Sequence, residues 1–329
     1  MSTEDQESAK GQGSTTLERR RLGSTPLEVT PVCVGTSPLA DMAFLYGYSV
    51  DEETAVATVE AALDSPFNFL DTSNGYGSNG ESEHRIGLAL ARRGGLPEGY
   101  VLATKVDPAP GSSDFSGARV RASLEESMTR LGVDHIPLLH LHDPERIPFE
   151  EGIAPGGPLE TLVRLKEEGL VDHLGVAGGT LDVMHRYVDT GAFDVVLNHN
   201  RYTLLDRSAE ALYDKAVARG MGVLNAAPYG GGMLVKGPEA QPKYAYGQRD
   251  DTIPQRAAQM MAACERHGVP LAAAALQFSV RDARITSTVV GMTSPKRIAQ
   301  TLELLGVEIP ESLWEELDAL TPPRELWLD

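Results

Sequence analysis

Four residues fall where their chemistries would add together. Asp71 closes an apolar run, and Tyr76 follows it within Asn-Gly-Tyr-Gly. Lys105 sits near the end of the apolar run Tyr100–Val106, and His142 ends Leu-Leu-His-Leu-His. Adding hydride to a carbonyl leaves an alkoxide that needs a proton. A phenol with an ordinary pKa of about 10 is a weak acid at neutral pH. A nearby ammonium favours the phenolate, so Lys105 is expected to lower the pKa of Tyr76. Asp71 would hold Lys105 and balance its charge, and His142 would orient the carbonyl by hydrogen bonding. In the reverse direction the same tyrosine takes a hydroxyl proton as hydride leaves. Taken singly, each has an ordinary explanation: a cap, a solvated ammonium, a surface aromatic, a structural imidazole.

The elements that must position them alternate along the chain. Strands are expected at Val29–Gly35, Phe67–Asp71, Tyr100–Val106 and His135–His142, then at Leu174–Ala177, Val195–Leu197, Gly222–Ala226 and Thr288–Val290. Helical spacing follows each one, as in Asp51–Leu63, Glu81–Arg92, Ser116–Leu131 and Pro295–Leu305. Such alternation gives a parallel sheet with right-handed crossovers, and eight units predict a closed single-domain (β/α)₈ barrel. An open doubly wound sheet is disfavoured, because no Gly-x-Gly-x-x-Gly follows the first strand. In a barrel the C-terminal strand ends carry the chemistry. Here they bear Gly35-Thr36, Asp71, Lys105, His142, Ala177, His199, Asn225-Ala226 and Gly291.

Residues 1–16 are polar and read as a disordered tail before a barrel of residues 17–329. The formal net charge of −18 argues against nucleic acid or an acidic membrane surface as partner. Cys33 and Cys264 follow no ligand spacing and read as thiols of a reducing, cytoplasmic compartment. No bound metal is expected. A metal-dependent barrel hydrolase built on His140 and His142 is the weaker rival, since His173 and His185 fall away from strand ends. A nucleotide-binding regulatory protein with little turnover is the other alternative.

The run Asp71-Thr72-Ser73, then Tyr76-Gly77, Ser82-Glu83, Ile86-Gly87, Thr104-Lys105 and Leu139-His140-Leu141-His142-Asp143-Pro144 resembles the aldo-keto reductase family. The resemblance covers nearly the whole chain from Leu22. It implies a catalytic tetrad of Asp71, Tyr76, Lys105 and His142. His142 is preferred to His140, which would lie one layer lower on the same strand face as a hydrogen-bonded core residue. Asn200–Arg207 and Asn225–Tyr229 look like the aldose dehydrogenase branch, which includes galactose, fucose and D-threo-aldose 1-dehydrogenases and a pyridoxal dehydrogenase. That implies oxidation of a sugar hemiacetal to a lactone, with a carbonyl or sugar as the small-molecule partner. The oligomeric state is left open.

The resemblance also implies a nicotinamide cofactor, NAD or NADP. It would lie against Gly35, Thr36, His199, Ala226, Pro228, Gly291, Thr293, Arg297, Gln300 and Thr301. Ser294 and Pro295 open the last barrel helix as a capped anion site. The lysine that commonly holds a 2′-phosphate is replaced by Gly291, which tilts the expectation to NAD. A Ser-Asn pair of the family is Ala177-Gly178 here, and the tyrosine that stacks on nicotinamide falls at Ala226. Tyr229 or Tyr202 is expected to supply the stacking face instead. Phe44, Tyr46 and Tyr48 would line the substrate pocket with Tyr229. The loop Gly230–Thr252 should cover the mouth, with Tyr244, Tyr246 and Arg249 within reach.

Overall fold

The computed structural model describes residues 17–245, 247 and 250–329. The expected tail, Tyr246 and Arg249 lie outside the described residues. The chain opens with an antiparallel hairpin, β1 (Arg20–Arg21) and β2 (Glu28–Val29). Eight parallel strands follow: β3 (Val32–Gly35), β4 (Phe69–Asp71), β5 (Val101–Val106), β6 (Ile136–His142), β7 (Val171–Gly178), β8 (Val195–His199), β9 (Gly222–Ala226) and β10 (Ser287–Gly291). They pair in sequence order, and β10 pairs with both β9 and β3, so the barrel closes.

The helices start and stop where their residues dictate. Asp51 accepts from the Thr54 amide at 2.8 Å and caps the helix Glu52–Leu63. Ser116 does the same for Gly117–Leu131, and Gly132 ends that helix in a left-handed conformation. Branched residues of β4 to β9 face these helices in a large outer core that includes Leu70, Leu102, Leu139, Val176, Val196 and Val223.

One element departs from expectation. Val29–Gly35 reads as a single strand but is broken at Thr30-Pro31, and its first part belongs to the hairpin. Proline offers no N–H to a ladder, so a strand boundary falls there naturally. Asn68 secures the break, accepting from the Thr30 amide at 2.8 Å. The hairpin carries Leu22 and Val29 into the inner core, against Cys33, Phe69, Val101, Leu138, Val195 and Leu224. It thus plugs the N-terminal end of the barrel. Gly222 makes room for the plug, since a Cβ there would stand 2.5 Å from Leu22 Cδ1.

Leu22→Ala should cost about 2–5 kcal/mol of stability, as for a buried leucine truncation, measured by urea unfolding. The chemistry at the opposite end should survive under native conditions.

Candidate active site

Period-two alternation points Asp71, Lys105 and His142 inward at the C-terminal end of the barrel. Lys105 is 1% exposed. Its ammonium donates to Asp71 Oδ2 at 2.7 Å, to the Thr72 carbonyl at 2.6 Å and to the Tyr76 hydroxyl at 3.2 Å. A buried ammonium needs such a set, because stripping its water costs several kcal/mol. The Tyr76 and His142 rings meet edge to face with centroids 5.7 Å apart. The four residues of the expected tetrad therefore do converge.

The strand tops are held level by two residues at the start of the helix Glu81–Arg93. Ser82 Oγ lies 2.8 Å from Thr36 Oγ1 and 3.1 Å from Thr72 Oγ1, bridging the ends of β3 and β4. Glu83 accepts from Thr104 Oγ1 at 2.6 Å and pairs with Arg130 at 3.1 Å, fixing β5 beside Lys105. Desolvation pushes the Glu83 carboxyl upward, while Thr104, Ser127 and Arg130 oppose that rise. The Ser-Glu pair is thus the brace of the site rather than a part of its chemistry.

The electrostatics of Tyr76 reverse the expectation from sequence. Its pKa stands well above the ordinary value, through burial first and then the negative charges of Asp71, Asp143 and Asp107. One ammonium, already paired with Asp71, does not outweigh them. The phenol is therefore held neutral, as a proton donor. His142 behaves in the opposite way. Burial would lower its pKa, but Asp107 and Asp143 raise it above the ordinary imidazole value. Its Nδ1 lies 2.8 Å from Asp107 Oδ1 and 3.0 Å from Ser73 Oγ. His140 fills the layer below, as expected, yet both its ring nitrogens lack a hydrogen-bond partner among the described residues. Burial accordingly drives its pKa down and keeps it neutral.

Asp107 is the residue that the strand-end reading passes over. It lies two positions beyond Lys105, so strand alternation puts it on the same inward side, just past the end of β5. That spacing was the available signal. Arg146, from the turn after β6, reaches Asp107 at 3.4 Å and Asp143 at 2.7 Å.

A cleft of about 1230 Å³ leads from the tetrad along the mouth. Gly35, Ala177, Gly178, His199, Ala226, Pro228, Gly291, Thr293, Arg297, Gln300 and Thr301 line it, as do Phe44, Tyr46, Tyr48 and Tyr229. Its size suits a dinucleotide with a small substrate. Phe44 stands on the rim, 88% exposed, while Tyr46 stacks on Tyr48 at 5.6 Å and meets Ser37 Oγ at 2.6 Å. The loop after β9 reaches the cleft through Gly231, Gly232, Lys236 and Lys243.

Several expected contacts go elsewhere. Thr36 is fully buried, and its hydroxyl donates to the Asp71 carbonyl at 2.9 Å rather than facing the cleft. Tyr202 stacks on Phe278 and donates to Asp282, and Tyr244 bonds Thr203 and the Asn200 carbonyl, so neither lines the mouth. Thr301 borders the cleft but commits its hydroxyl to the Arg297 carbonyl at 2.8 Å. Ser294 stands at the helix start without a side-chain capping bond. Arg297 is exposed beside it and meets Gln300 at 3.2 Å. A Cβ at Gly291 would stand 2.9 Å from Pro38 Cγ, so a longer side chain there must displace the loop after β3. Among the described residues, no three His, Cys, Asp or Glu side chains are placed to share a metal ion.

An eight-stranded barrel with a Tyr-Lys-Asp-His cluster at the floor of a long cleft defines a class of barrel oxidoreductase. The Aldo/keto reductase family matches residues 31–322, and the chain belongs to that family. It is an oxidoreductase that depends on NAD or NADP. It is 32% identical over 295 residues to the D-threo-aldose 1-dehydrogenase of a Pseudomonas species, covering 82% of this chain and 88% of that one. It is 32% identical over 316 residues to the L-galactose dehydrogenase of Arabidopsis thaliana, covering 94% and 96%. An aldo-keto reductase of Bacillus halodurans, solved in its holo form, shares the fold with a TM-score of 0.76 at 22% identity, over 93% of this chain and 97% of that one. No helix among the described residues is long and apolar enough to cross a membrane.

Lys105→Met strands the Asp71 carboxylate in the barrel and should lower stability by about 3–5 kcal/mol. Adding Asp71→Asn should restore much of it, so that a double-mutant cycle by urea unfolding shows strong coupling.

Proposed function

We propose that this protein is an aldose 1-dehydrogenase-like enzyme that oxidises the hemiacetal carbon of a sugar to a lactone, with Tyr76 as its acid and base. The observation that carries this reading is the contact of the Lys105 ammonium with both Asp71 and the Tyr76 hydroxyl at the floor of the cleft. Bound along the cleft, the nicotinamide supplies or accepts the hydride. In reduction the neutral Tyr76 phenol gives its proton to the developing alkoxide. Lys105 stabilises the oxygen that it leaves charged, and Asp71 holds Lys105 in place. Oxidation runs the same steps backward. His142 meets the substrate oxygen from the opposite side.

Support for a polyhydroxy substrate comes from the wall beyond His142. Asp143, Arg146 and His199 line the cleft there, mixing acceptors and donors as sugar hydroxyls require. The names of the similar curated proteins point the same way. Gly291 and its closeness to Pro38 favour NAD, because a lysine at that position would not fit without movement. Arg297, exposed at the start of the helix Pro295–Leu305, leaves room for a 2′-phosphate contact, so NADP is the second choice. The free buried thiols of Cys33 and Cys264 suit a cytoplasmic setting.

A screen at 340 nm with both cofactors against aldoses, pyridoxal and simple aldehydes tests the reading. Turnover of an aldose with NAD above all others is the expected result. Tyr76→Phe should lower the rate of hydride transfer by roughly 10²–10⁴-fold while cofactor binding, followed by fluorescence, persists. An active Tyr76→Phe enzyme would remove the mechanism.

A further inference from the structure

We propose that Asp107 is a positioning residue that locks His142 in one ring orientation and holds it as an imidazolium, so that the substrate oxygen meets a charged donor opposite Tyr76. The inference rests on the oxidoreductase reading above and assigns to this chain a carboxylate arm alongside the four residues of the tetrad.

The geometry is built rather than incidental. Asp107 is 1% exposed and accepts from several directions. Oδ1 takes His142 Nδ1 at 2.8 Å and Arg146 Nη1 at 3.4 Å. Oδ2 takes the Gly75 amide at 2.8 Å and the Ser73 hydroxyl. Gly75 has no side chain at the point where a Cβ would stand 2.7–2.9 Å from this carboxylate. The loop that carries Tyr76 is thus wrapped around Asp107. Ser123 Oγ accepts from the Asp107 amide at 3.0 Å and fixes the backbone as well.

With Nδ1–H given to Asp107, His142 is left with Nε2 toward the cleft that it lines. Asp143 Oδ1 stands 3.7 Å from Nε2, beyond hydrogen-bond length. That nitrogen is therefore open to a substrate oxygen. In the neutral Nδ1–H tautomer Nε2 would be an acceptor and would repel a carbonyl oxygen. Only the protonated ring donates from both nitrogens, so the arrangement works when His142 carries a charge.

The charges around the ring favour that state. Asp107 faces it from the end of β5 and Asp143 from the turn after β6. Arg146 lies behind both acids, and Lys105 opposes protonation from β5. The Tyr76 ring packs against it without charge, and His140 and His199 are held neutral by burial. The carboxylates prevail, and His142 stays protonated above the ordinary imidazole range. Asp107, buried though it is, stays ionised well below the usual carboxylate range, because His142, Ser73 and Arg146 outweigh its desolvation. Two coupled groups of opposite charge account for both shifts.

The pH dependence follows. Tyr76 titrates far to the alkaline side, so the alkaline limb of the reductive reaction belongs to His142. The imidazolium is present below its raised pKa, and the rate falls as pH rises through that value. Asp107→Asn keeps the shape and removes the charge. It should move that limb to lower pH by about one unit or more and lower kcat roughly tenfold. Arg146→Gln removes a cation from the half-exposed rim and should move the limb the other way. A general loosening of the site would not shift the two variants in opposite directions.

The decisive measurement is NMR titration of the labelled imidazoles in the full chain without cofactor, with His142→Gln to assign the signal. A lower His142 pKa in Asp107→Asn and a higher one in Arg146→Gln are expected. An unchanged His142 pKa in a folded Asp107→Asn protein overturns the proposal, whatever the enzyme turns over. Loss of the oxidoreductase reading would instead appear as no nicotinamide oxidation or reduction with any substrate while the NMR shifts stand.

Discussion

A lysine buried in the mouth of a barrel is tolerable only because Asp71 sits 2.7 Å from its ammonium. Everything else at this end of the molecule answers to that pair. The Thr72 carbonyl takes a second proton of the ammonium and the Tyr76 hydroxyl lies within reach of the third. Ser82 and Glu83 keep the strands that carry the partners at one height. A small vertical slip between β4 and β5 would lengthen the ion pair and leave two uncompensated charges in a low-dielectric interior. The brace and the ion pair are thus one device, with the helix Glu81–Arg93 as its handle.

The site also shows how far counting charges along a sequence can mislead. Lys105 is the obvious neighbour of Tyr76, and by itself it would draw the phenol toward ionisation. Burial works against that ionisation first, and the carboxylates of Asp71, Asp143 and Asp107, from the end of β4, the turn after β6 and just past β5, add to it. Their positions depend on the closure of the barrel, which places Asp107 and Asp143 across from Tyr76. The same acids that keep the phenol neutral charge the imidazole beside it. One cluster of negative charge thereby sets two donors in opposite protonation regimes.

Much of the architecture was legible because a parallel barrel repeats one unit, and glycines, prolines and caps mark the unit boundaries. The hairpin was not, since Val29–Gly35 is apolar but for Thr30 and only Thr30-Pro31 betrays the break. The tetrad could be read from strand ends because each member closes an inward-facing run or follows one. Thr36 and Tyr202 were misplaced because a hydroxyl near a strand end looks the same whether it serves a ligand or a neighbouring segment, and Tyr244 because nothing in the loop after β9 marks its ring as turned inward. Asp107 was overlooked because its partner His142 is contributed by the next strand, and no local pattern couples the two. Ser294 looked like an ordinary cap, and its unused side chain is visible only in three dimensions.

Three barrel strands end in a residue that is not glycine yet turns left-handed: Asp143 after β6, with φ 42°, Asn200 after β8, with φ 64°, and Ala227 after β9, with φ 57°. Asn and Asp adopt this state with modest strain, whereas alanine has no side-chain bond to recover its cost. Each such residue swings the chain abruptly off the strand axis at the rim. Each is still pinned to the neighbouring strand, the Asp143, Asn200 and Ala227 amides donating to the carbonyls of Ala177, Ala226 and Val289. Insertions or deletions beyond the pinned residues after β8 and β9 can reshape what the cleft admits while the floor keeps its register, whereas the turn after β6 is bound to that floor through Asp143 and Arg146.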